Sequence, residues 1–293
     1  MKHVAKLAAY LAAVVILAIV IAPLLFWSAK SLAAHDLFSF LAKYDFETYF
    51  RRAVLVAAAV LLWPFLRISG VRRTADLDLA ANPHWGRDLA AGLLLSIIPL
   101  FLCGALLINI HVYSLRHIFA WSRLGKLVLA VIAVPLIEEV FFRGILLGVL
   151  LKGGRKYLAI LTVSVLFAVV HFLKAPEGTS AIVTWTSGFN SISHAFVQFG
   201  SPVMLLAAFA TLFLIGCILA DARVLTRSLW LPIGLHGGWI FGSGLFSLLA
   251  RRQMLALPWL GKNLLVGVIP LGVAAVTWIL MRTWLTYDRS SKA

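Results

Sequence analysis

The chain has 293 residues, of which 62% are hydrophobic and 13% charged, and its 26 Lys and Arg against 11 Asp and Glu give a formal net charge of +15. Apolar runs this long and numerous exclude an ordinary soluble domain and indicate a polytopic membrane protein. The basic residues lie mainly between the apolar runs, a pattern that suits lipid headgroups better than nucleic acid. Cys103 and Cys217 lie inside apolar runs, so no disulfide framework is implied.

Eight apolar stretches predict eight membrane helices, since a spanning helix needs roughly 20 apolar residues. In chain order they are residues 7–29, 53–66, 89–112, 127–151, 157–173, 202–220, 224–246 and 263–284. The second stretch is short and bordered by arginines, which must snorkel to the interface if it spans. The prediction is therefore an all-α polytopic membrane protein with about eight transmembrane helices in one bundle.

One structural domain is expected, because the sequence contains no internal repeat and no Pro/Ser-rich linker. Within it we expect N-terminal membrane helices in residues 1–125, a core that carries the polar motifs in 126–246, and a C-terminal helix and tail in 247–293. A slight excess of basic residues, Arg223 and Arg227 among them, favours both termini inside the cell. The polar stretch 174–200 is predicted to be a surface segment or a loop over a cavity.

The fourth apolar stretch contains ionisable residues in the sequence PLIEEVFFRG. Such groups cost several kcal/mol in hydrocarbon, so they are candidates for function. Glu139 and Arg143 are four residues apart, in the order that favours an ion pair along one helix face. Glu138 lies about 100° around the helix, so the same arginine cannot neutralise it equally, and Glu138 is the candidate for chemistry. Pro135 predicts a kink one turn before the pair.

Two histidines in later apolar stretches supply groups of the type that bind or polarise a water. His171 follows Phe167 at a spacing of four, and His236 is followed by two glycines that let another helix approach closely. With Glu138 they can hold zinc with an open fourth position. Alternatively, Glu138 acts as general base without a metal while His236 stabilises an oxyanion. The residues alone leave both schemes open. Taken singly, each histidine is as often a residue that hydrogen-bonds two helices together as a functional one. His194 is a weaker extra candidate.

Four segments resemble, in order, the motifs of the CPBP family. They are EEVFFRG at 138–144, FAVVH at 167–171, FLIGCILA from Phe213 and HGGWI from His236. The family comprises type II CAAX prenyl endopeptidases and bacterial bacteriocin-processing or immunity proteins, formerly called Abi. The resemblance covers roughly residues 126–246 and implies an intramembrane endopeptidase with a helical fold, usually of eight spans.

The resemblance also implies a role for each matched residue. Glu138 would activate the hydrolytic water with help from His171, while Glu139 and Arg143 would hold the site together. His236 would stabilise the tetrahedral intermediate or contribute to metal binding. The candidate catalytic residues are Glu138, Glu139, Arg143, His171 and His236, and the candidate metal ligands are Glu138, His171 and His236. Zinc is the metal that this set implies, and a mechanism without a metal stays equally open.

One position departs from the family pattern. The fourth motif usually reads HxxxN, whereas the residue four after His236 is Ile240, which donates no hydrogen bond. Losing one oxyanion donor costs about 3 to 4 kcal/mol of transition-state stabilisation. Ser243 is a candidate replacement. The departure also supports a catalytically inactive scaffold or immunity protein as the alternative function. A proton or ion transporter ranks third, because the chain has one polar cluster and no repeat.

The implied substrate is a membrane-associated protein or peptide, either prenylated or bacteriocin-like. The lipid bilayer is the other expected partner, and no nucleic acid is expected. The implied location is a bacterial inner (plasma) membrane, crossed several times. Substrate identity and oligomeric state do not follow from the sequence.

Overall fold

The computed structural model describes residues 2–172, 176–180, 182–195, 202–254, 258–260 and 264–290, and these are predominantly helical. The elements are α1 (Lys2–Ala34), α2 (Phe46–Ile68), α3 (Trp85–Asn109), β1 (Tyr113–Leu115), α4 (Trp121–Glu139), a π-helix (Val140–Leu146), α5 (Leu147–Leu151), α6 (Lys156–Val170), α7 (Ser187–Ser193), α8 (Pro202–Thr226), α9 (Trp230–Leu249), β2 (Ala250–Arg252) and α10 (Val268–Ser290). Short 3-10 turns lie at Ser39–Lys43 and Thr74–Leu77. The predicted all-α class is confirmed.

Five of the described helices, α1, α2, α3, α8 and α10, are long and apolar enough to cross a membrane. Each of the eight predicted stretches overlaps a helix, but the count of eight spans is not confirmed. The helix α6 is apolar but has only 15 residues. The helices α4 and α9 carry polar motif residues among their apolar ones, Glu138 and Glu139 in α4 and His236 in α9. The short second stretch lies inside a longer helix, α2, which begins at Phe46.

One compact unit comprises Met1–Asp76 and Val169–Gly200. Its main elements are α1 and α2, in which several fully buried alanines, such as Ala18 and Ala57, let two helix backbones approach closely. The hydroxyl of Tyr10 donates to the carbonyl of Ala58 at 2.8 Å, and its ring stacks on Phe65 at 4.6 Å between centroids. These contacts join α1 and α2 into a hairpin.

The described part of the predicted polar stretch lies on this hairpin. Asp45 and Glu47, at the start of α2, accept the backbone N–H groups of Gly178 and Ser180 at 3.1 and 2.9 Å. The ring of Trp185 meets Trp27 of α1 edge-on at 4.8 Å. The short helix α7 also packs on α1, since a Cβ added at Gly188 would lie 2.9 Å from the Cα of Ile19. Residues 174–175, 181 and 196–200 of that stretch lie outside the described residues.

The second compact unit comprises Leu77–Ala168 and Ser201–Ala293. Its helix α9 packs against both α3 and α4. A Cβ added at Gly92 of α3 would lie 2.6 Å from the Leu231 carbonyl oxygen, so the α3 and α9 backbones are nearly in contact. On another side of α9, a Cβ added at Gly237 would lie 3.4 Å from the Val131 carbonyl oxygen of α4. Gly237, the residue after His236, thus lies where α9 contacts α4.

A two-stranded antiparallel pair, absent from the predicted elements, joins two connections of this unit. β1 lies between α3 and α4, and β2 follows α9, with Tyr113 opposite Arg252 in the register. Of the helices that carry the polar motifs, α4 follows β1 in the chain, and α9 is followed directly by β2. The predicted division into residues 1–125, 126–246 and 247–293 within one domain stays a prediction.

Candidate functional site

The two glutamates lie at the end of α4, immediately before a π-helix. The helix is regular through Glu139, adopts the wider π geometry over Val140–Leu146 and then continues as α5. Short π-helices of this kind are rare and frequently mark functional sites. The sequence predicted an irregularity at Pro135, which lies within α4. The described irregularity follows the glutamates and contains Arg143.

The predicted ion pair between Glu139 and Arg143 is present. Nη1 of Arg143 donates to Oε1 of Glu139 at 3.1 Å, and both side chains are fully buried. Nη2 of Arg143 lies 3.4 Å from the carbonyl oxygen of Gly216 in α8, which accepts its hydrogen bond. The guanidinium also lies over the ring of Phe167 in α6, 4.2 Å from the centroid. A buried charge pair needs such additional partners to offset its desolvation.

His236 of α9 joins the same network through one ring nitrogen. Its Nδ1 lies 2.7 Å from Oε1 of Glu139, and its ring meets Phe167 edge-on at 5.9 Å. An ionised carboxylate only accepts hydrogen bonds. We therefore assign the proton of this bond to Nδ1 of His236, which donates to Glu139. The other ring nitrogen, Nε2, does not take part in the bond to Glu139. It lies 3.9 Å from Oε2 of Glu138.

Glu138 differs from Glu139 in its exposure. The Glu138 side chain is 26% exposed, whereas that of Glu139 is fully buried. The 3.9 Å between Glu138 Oε2 and His236 Nε2 is too long for a direct hydrogen bond, and it is a separation that a water can bridge. Of the three side chains expected to converge, Glu138, His171 and His236, the structure brings Glu138 and His236 to this distance. The structure thus brings a carboxylate of α4 and an imidazole of α9 close together.

His171 lies directly after the end of α6 and is exposed. It belongs to the unit that contains α1 and α2, whereas Glu138 and His236 belong to the other. Its expected place beside Glu138 stays a prediction. His194 also belongs to the first unit, where its Nδ1 lies 2.9 Å from the carbonyl oxygen of Asn190, one turn earlier.

Within the part of the chain that the structure describes, no group of three or more His, Cys, Asp and Glu side chains is arranged to hold a metal ion. Zinc sites take about three or four protein ligands. In their unit, Glu138 and His236 Nε2 supply two candidate ligands, since Nδ1 is bound by Glu139. The described residues therefore do not fit a resident zinc ion, and metal dependence stays a prediction.

The expected replacement donor, Ser243, is buried on α9. Its hydroxyl donates to the carbonyl oxygen of Ile240 at 3.4 Å, so its proton is directed to its own helix. Ile240 itself is half-buried. The role of Ser243 as an oxyanion donor stays a prediction.

Two residues that sequence reasoning did not single out complete the surroundings of Arg143. Gly216 supplies the carbonyl that binds Nη2, and a Cβ at Gly216 would lie 3.0 Å from the Cα of Ser164 in α6. Gly216 lies in the third motif, FLIGCILA, and this position was the feature of the sequence that could have identified it. Arg223 was counted among the basic residues between spans, and this is corrected: it lies within α8, is fully buried, and donates from Nε to the carbonyl oxygen of Arg143 at 3.2 Å.

Comparison with known proteins finds one family match, which covers the elements from α4 to most of α9. Residues 119–242 match the family model described as Type II CAAX prenyl endopeptidase Rce1-like. No curated protein and no solved structure matches the chain. The predicted resemblance is confirmed over these residues, which include Glu138, Glu139, Arg143, His171 and His236. The match suggests a hydrolase of the CAAX-protease type and gives no support to bacteriocin processing or to a metalloprotease.

Proposed function

Because residues 119–242 match the type II CAAX prenyl endopeptidases, we propose that this protein is an intramembrane endopeptidase that cleaves a peptide bond of a membrane-associated substrate. One observation carries the proposal. Oε2 of Glu138 lies 3.9 Å from Nε2 of His236, while Nδ1 of the same ring is bound by Glu139 at 2.7 Å. This is the arrangement that a water needs between a base and an oriented imidazole.

Glu138 acts as the general base in the proposed reaction. Its carboxylate removes a proton from the water while the water oxygen forms a bond to the scissile carbonyl carbon. The carbonyl oxygen takes the negative charge of the resulting tetrahedral intermediate. The C–N bond then breaks, and protonated Glu138 returns the proton to the leaving amine. Acid–base catalysis of this kind contributes about 10²- to 10⁴-fold.

His236 orients the water and stabilises the oxyanion. The bond from Nδ1 to Glu139 fixes the ring, as a buried carboxylate does in other carboxylate–histidine pairs. When Nε2 also carries a proton it donates to the oxyanion, and the carboxylate of Glu139 stabilises the charged ring. Arg143 balances the charge of Glu139. Its proposed function is to hold Glu139, not to contact substrate.

The proposal gives His171 the role of assisting Glu138. Support for this role comes from its place in the matched region, in the motif that follows the glutamates. We propose that the protein is a multi-pass protein of a bacterial plasma membrane; five described helices that are long and apolar enough to span support the membrane part of this proposal. The proposed substrate ends in a prenylated CAAX-type sequence.

The proposal is tested with purified protein in detergent. The assay follows cleavage of a fluorogenic farnesylated CAAX peptide, with the same peptide lacking the prenyl group beside it. We expect Glu138→Gln to lower kcat about 10²- to 10⁴-fold with the fold intact. Glu177→Gln, which changes an exposed glutamate, is the matched control and should cleave like the parent.

Each other outcome has a defined meaning. Equal cleavage by Glu138→Gln and the parent removes Glu138 as the base. A folded parent that cleaves neither peptide supports the inactive scaffold or immunity protein. Metal analysis of the same preparation and cleavage after chelation test metal dependence. Bound metal that is lost in Glu138→Gln favours the zinc scheme, and cleavage by metal-free protein favours the glutamate scheme.

A further inference from the structure

A second fully buried guanidinium lies next to the proposed site, and none of the motifs accounts for it. Arg223 lies in the last turn of α8 and has no exposed surface. Its Nε donates to the carbonyl oxygen of Arg143 at 3.2 Å, its Nη2 donates to the carbonyl oxygen of Leu77, and its Nη1 lies 3.5 Å from Oδ2 of Asp78. One side chain thus binds the backbone at two separate points of the chain.

The first of these points lies within the π-helix. Arg143 is the fourth residue of Val140–Leu146, where the helix is wider than a regular α-helix. Irregular helix geometry occurs where a side chain inserts into the backbone hydrogen-bond ladder. The Nε of Arg223 is such a donor, and it binds the carbonyl of the residue whose guanidinium holds Glu139.

The second point is fixed independently of Arg223. Leu77 packs on α5, because a Cβ added at Gly148 would lie 2.9 Å from the Leu77 carbonyl oxygen. Asp78 also pairs with Arg227, and the backbone N–H of Ala80 donates to the Arg227 carbonyl oxygen at 2.9 Å. Arg223 therefore connects the π-helix to a segment that already has its own contacts.

We propose that Arg223 is a positioning residue for the hydrolytic site. Through the Arg143 carbonyl it holds the π-helix, and with it the chain of bonds from Arg143 to Glu139 and from Glu139 to His236, so that Nε2 is presented to Glu138. Those two bonds measure 3.1 and 2.7 Å. Arg223 touches neither substrate nor water, and the inference rests on the proposed function. A displacement of about 1 Å in such a chain costs about 10²-fold in rate.

The substitution Arg223→Lys distinguishes the positioning role from a simple requirement for a positive charge. Arg223→Lys keeps the positive charge but lacks the planar fork that reaches separate acceptors at once. One control residue lies on the same helix and the other is its partner on α10. Asp221, two residues earlier and also buried, accepts from Arg282 Nε at 2.8 Å and from Trp278 Nε1 at 2.8 Å, and both partners lie on α10. Asp221→Asn and Arg282→Lys therefore weaken a comparable bonded cluster that does not bind the π-helix.

The experiment measures the NMR signals of the His236 ring nitrogens. Protein labelled with ¹⁵N-histidine is studied by NMR in detergent, with His236→Gln used to assign the ring signals, and peptide cleavage is measured on the same samples. We expect Arg223→Lys to shift the His236 nitrogen signals and to lower kcat about 10²-fold with KM nearly unchanged. Asp221→Asn and Arg282→Lys should leave the His236 signals and kcat as in the parent.

The outcomes separate the two proposals. If the parent cleaves no peptide, the proposed function fails, and the NMR signals still decide the positioning role. If Arg223→Lys folds and matches the controls in signals and kcat, the positioning role is lost. Arg223→Gln, whose amide can still donate one bond, is measured in the same way if the lysine variant does not fold. If neither variant folds while both controls do, Arg223 serves the fold alone and the inference is overturned.

Discussion

The two compact units bind carboxylates in different ways. In the unit of α1 and α2, Asp45 and Glu47 accept backbone N–H groups of Gly178 and Ser180. In the unit of α4 and α9, Glu139 accepts side-chain groups of two residues from two elements, Arg143 and His236. A carboxylate bound by backbone amides fixes the path of a segment. A carboxylate bound by side chains fixes the position of chemical groups, so the two should respond differently to substitution.

The largest expected effect on stability comes from breaking the second arrangement. Glu139→Ala leaves the fully buried Arg143 without its carboxylate, and removing one partner of a buried pair costs about 3 to 5 kcal/mol. Unfolding in mixed detergent micelles measures the loss. The double variant Glu139→Ala with Arg143→Met should recover part of it, because no uncompensated charge is left. A single variant as stable as the parent would show that the pair is not a stabilising contact.

A smaller effect is expected from the first arrangement. Glu47→Ala removes the acceptor of the Ser180 N–H, and a hydrogen bond to a charged group contributes about 1.5 to 3 kcal/mol. Hydrogen exchange should show faster exchange at the Ser180 amide. The His236 ring signals should stay as in the parent, because Glu47 does not belong to the network of Glu139. Glu177→Ala, at an exposed position, is the control, and a shifted His236 signal in Glu47→Ala would contradict the distinction between the two units.

The smallest effect sharpens the comparison within the first unit. Trp185→Ala removes the edge-on contact with Trp27, and aromatic pairs contribute about 0.5 to 1.5 kcal/mol beyond the area that they bury. Thermal unfolding should report a loss of that size. Ile182→Ala, at a position 83% exposed, should cost less. Equal losses at the two positions would mean that the aromatic contact does not hold this segment on α1.

The sequence was sufficient for the parts of the site whose geometry follows from helix spacing. Glu139 and Arg143 are four residues apart, and this spacing alone predicts their ion pair. The approach of His236 was indicated by the glycines beside it, since small residues let helices come together. The all-α class followed from the length and number of the apolar stretches.

Other features had no signature in residue type. A π-helix differs from an α-helix in which carbonyl each N–H reaches, and the residues VFFRGIL are compatible with both. The predicted stretch ended at residue 220, before the charged residues Asp221 and Arg223. Both are buried in the fold because Arg282, Asp78 and backbone carbonyls satisfy them. Partners from distant segments cannot be inferred from local hydropathy. The same holds for Glu47 in the first turn of α2, which accepts a hydrogen bond from a residue 133 positions away.

In the proposed reaction, the 3.9 Å between Glu138 and His236 has a consequence for electrostatics. When the water gives its proton to Glu138, one negative charge disappears from the carboxylate and one appears on the substrate oxygen. The total charge inside the apolar surroundings is therefore constant, and the charge only moves across the width of a water. Creating a separated ion pair in a medium of low polarity is far more expensive than such a short transfer. The proposed mechanism would therefore let hydrolysis proceed without drawing ions from the aqueous phase.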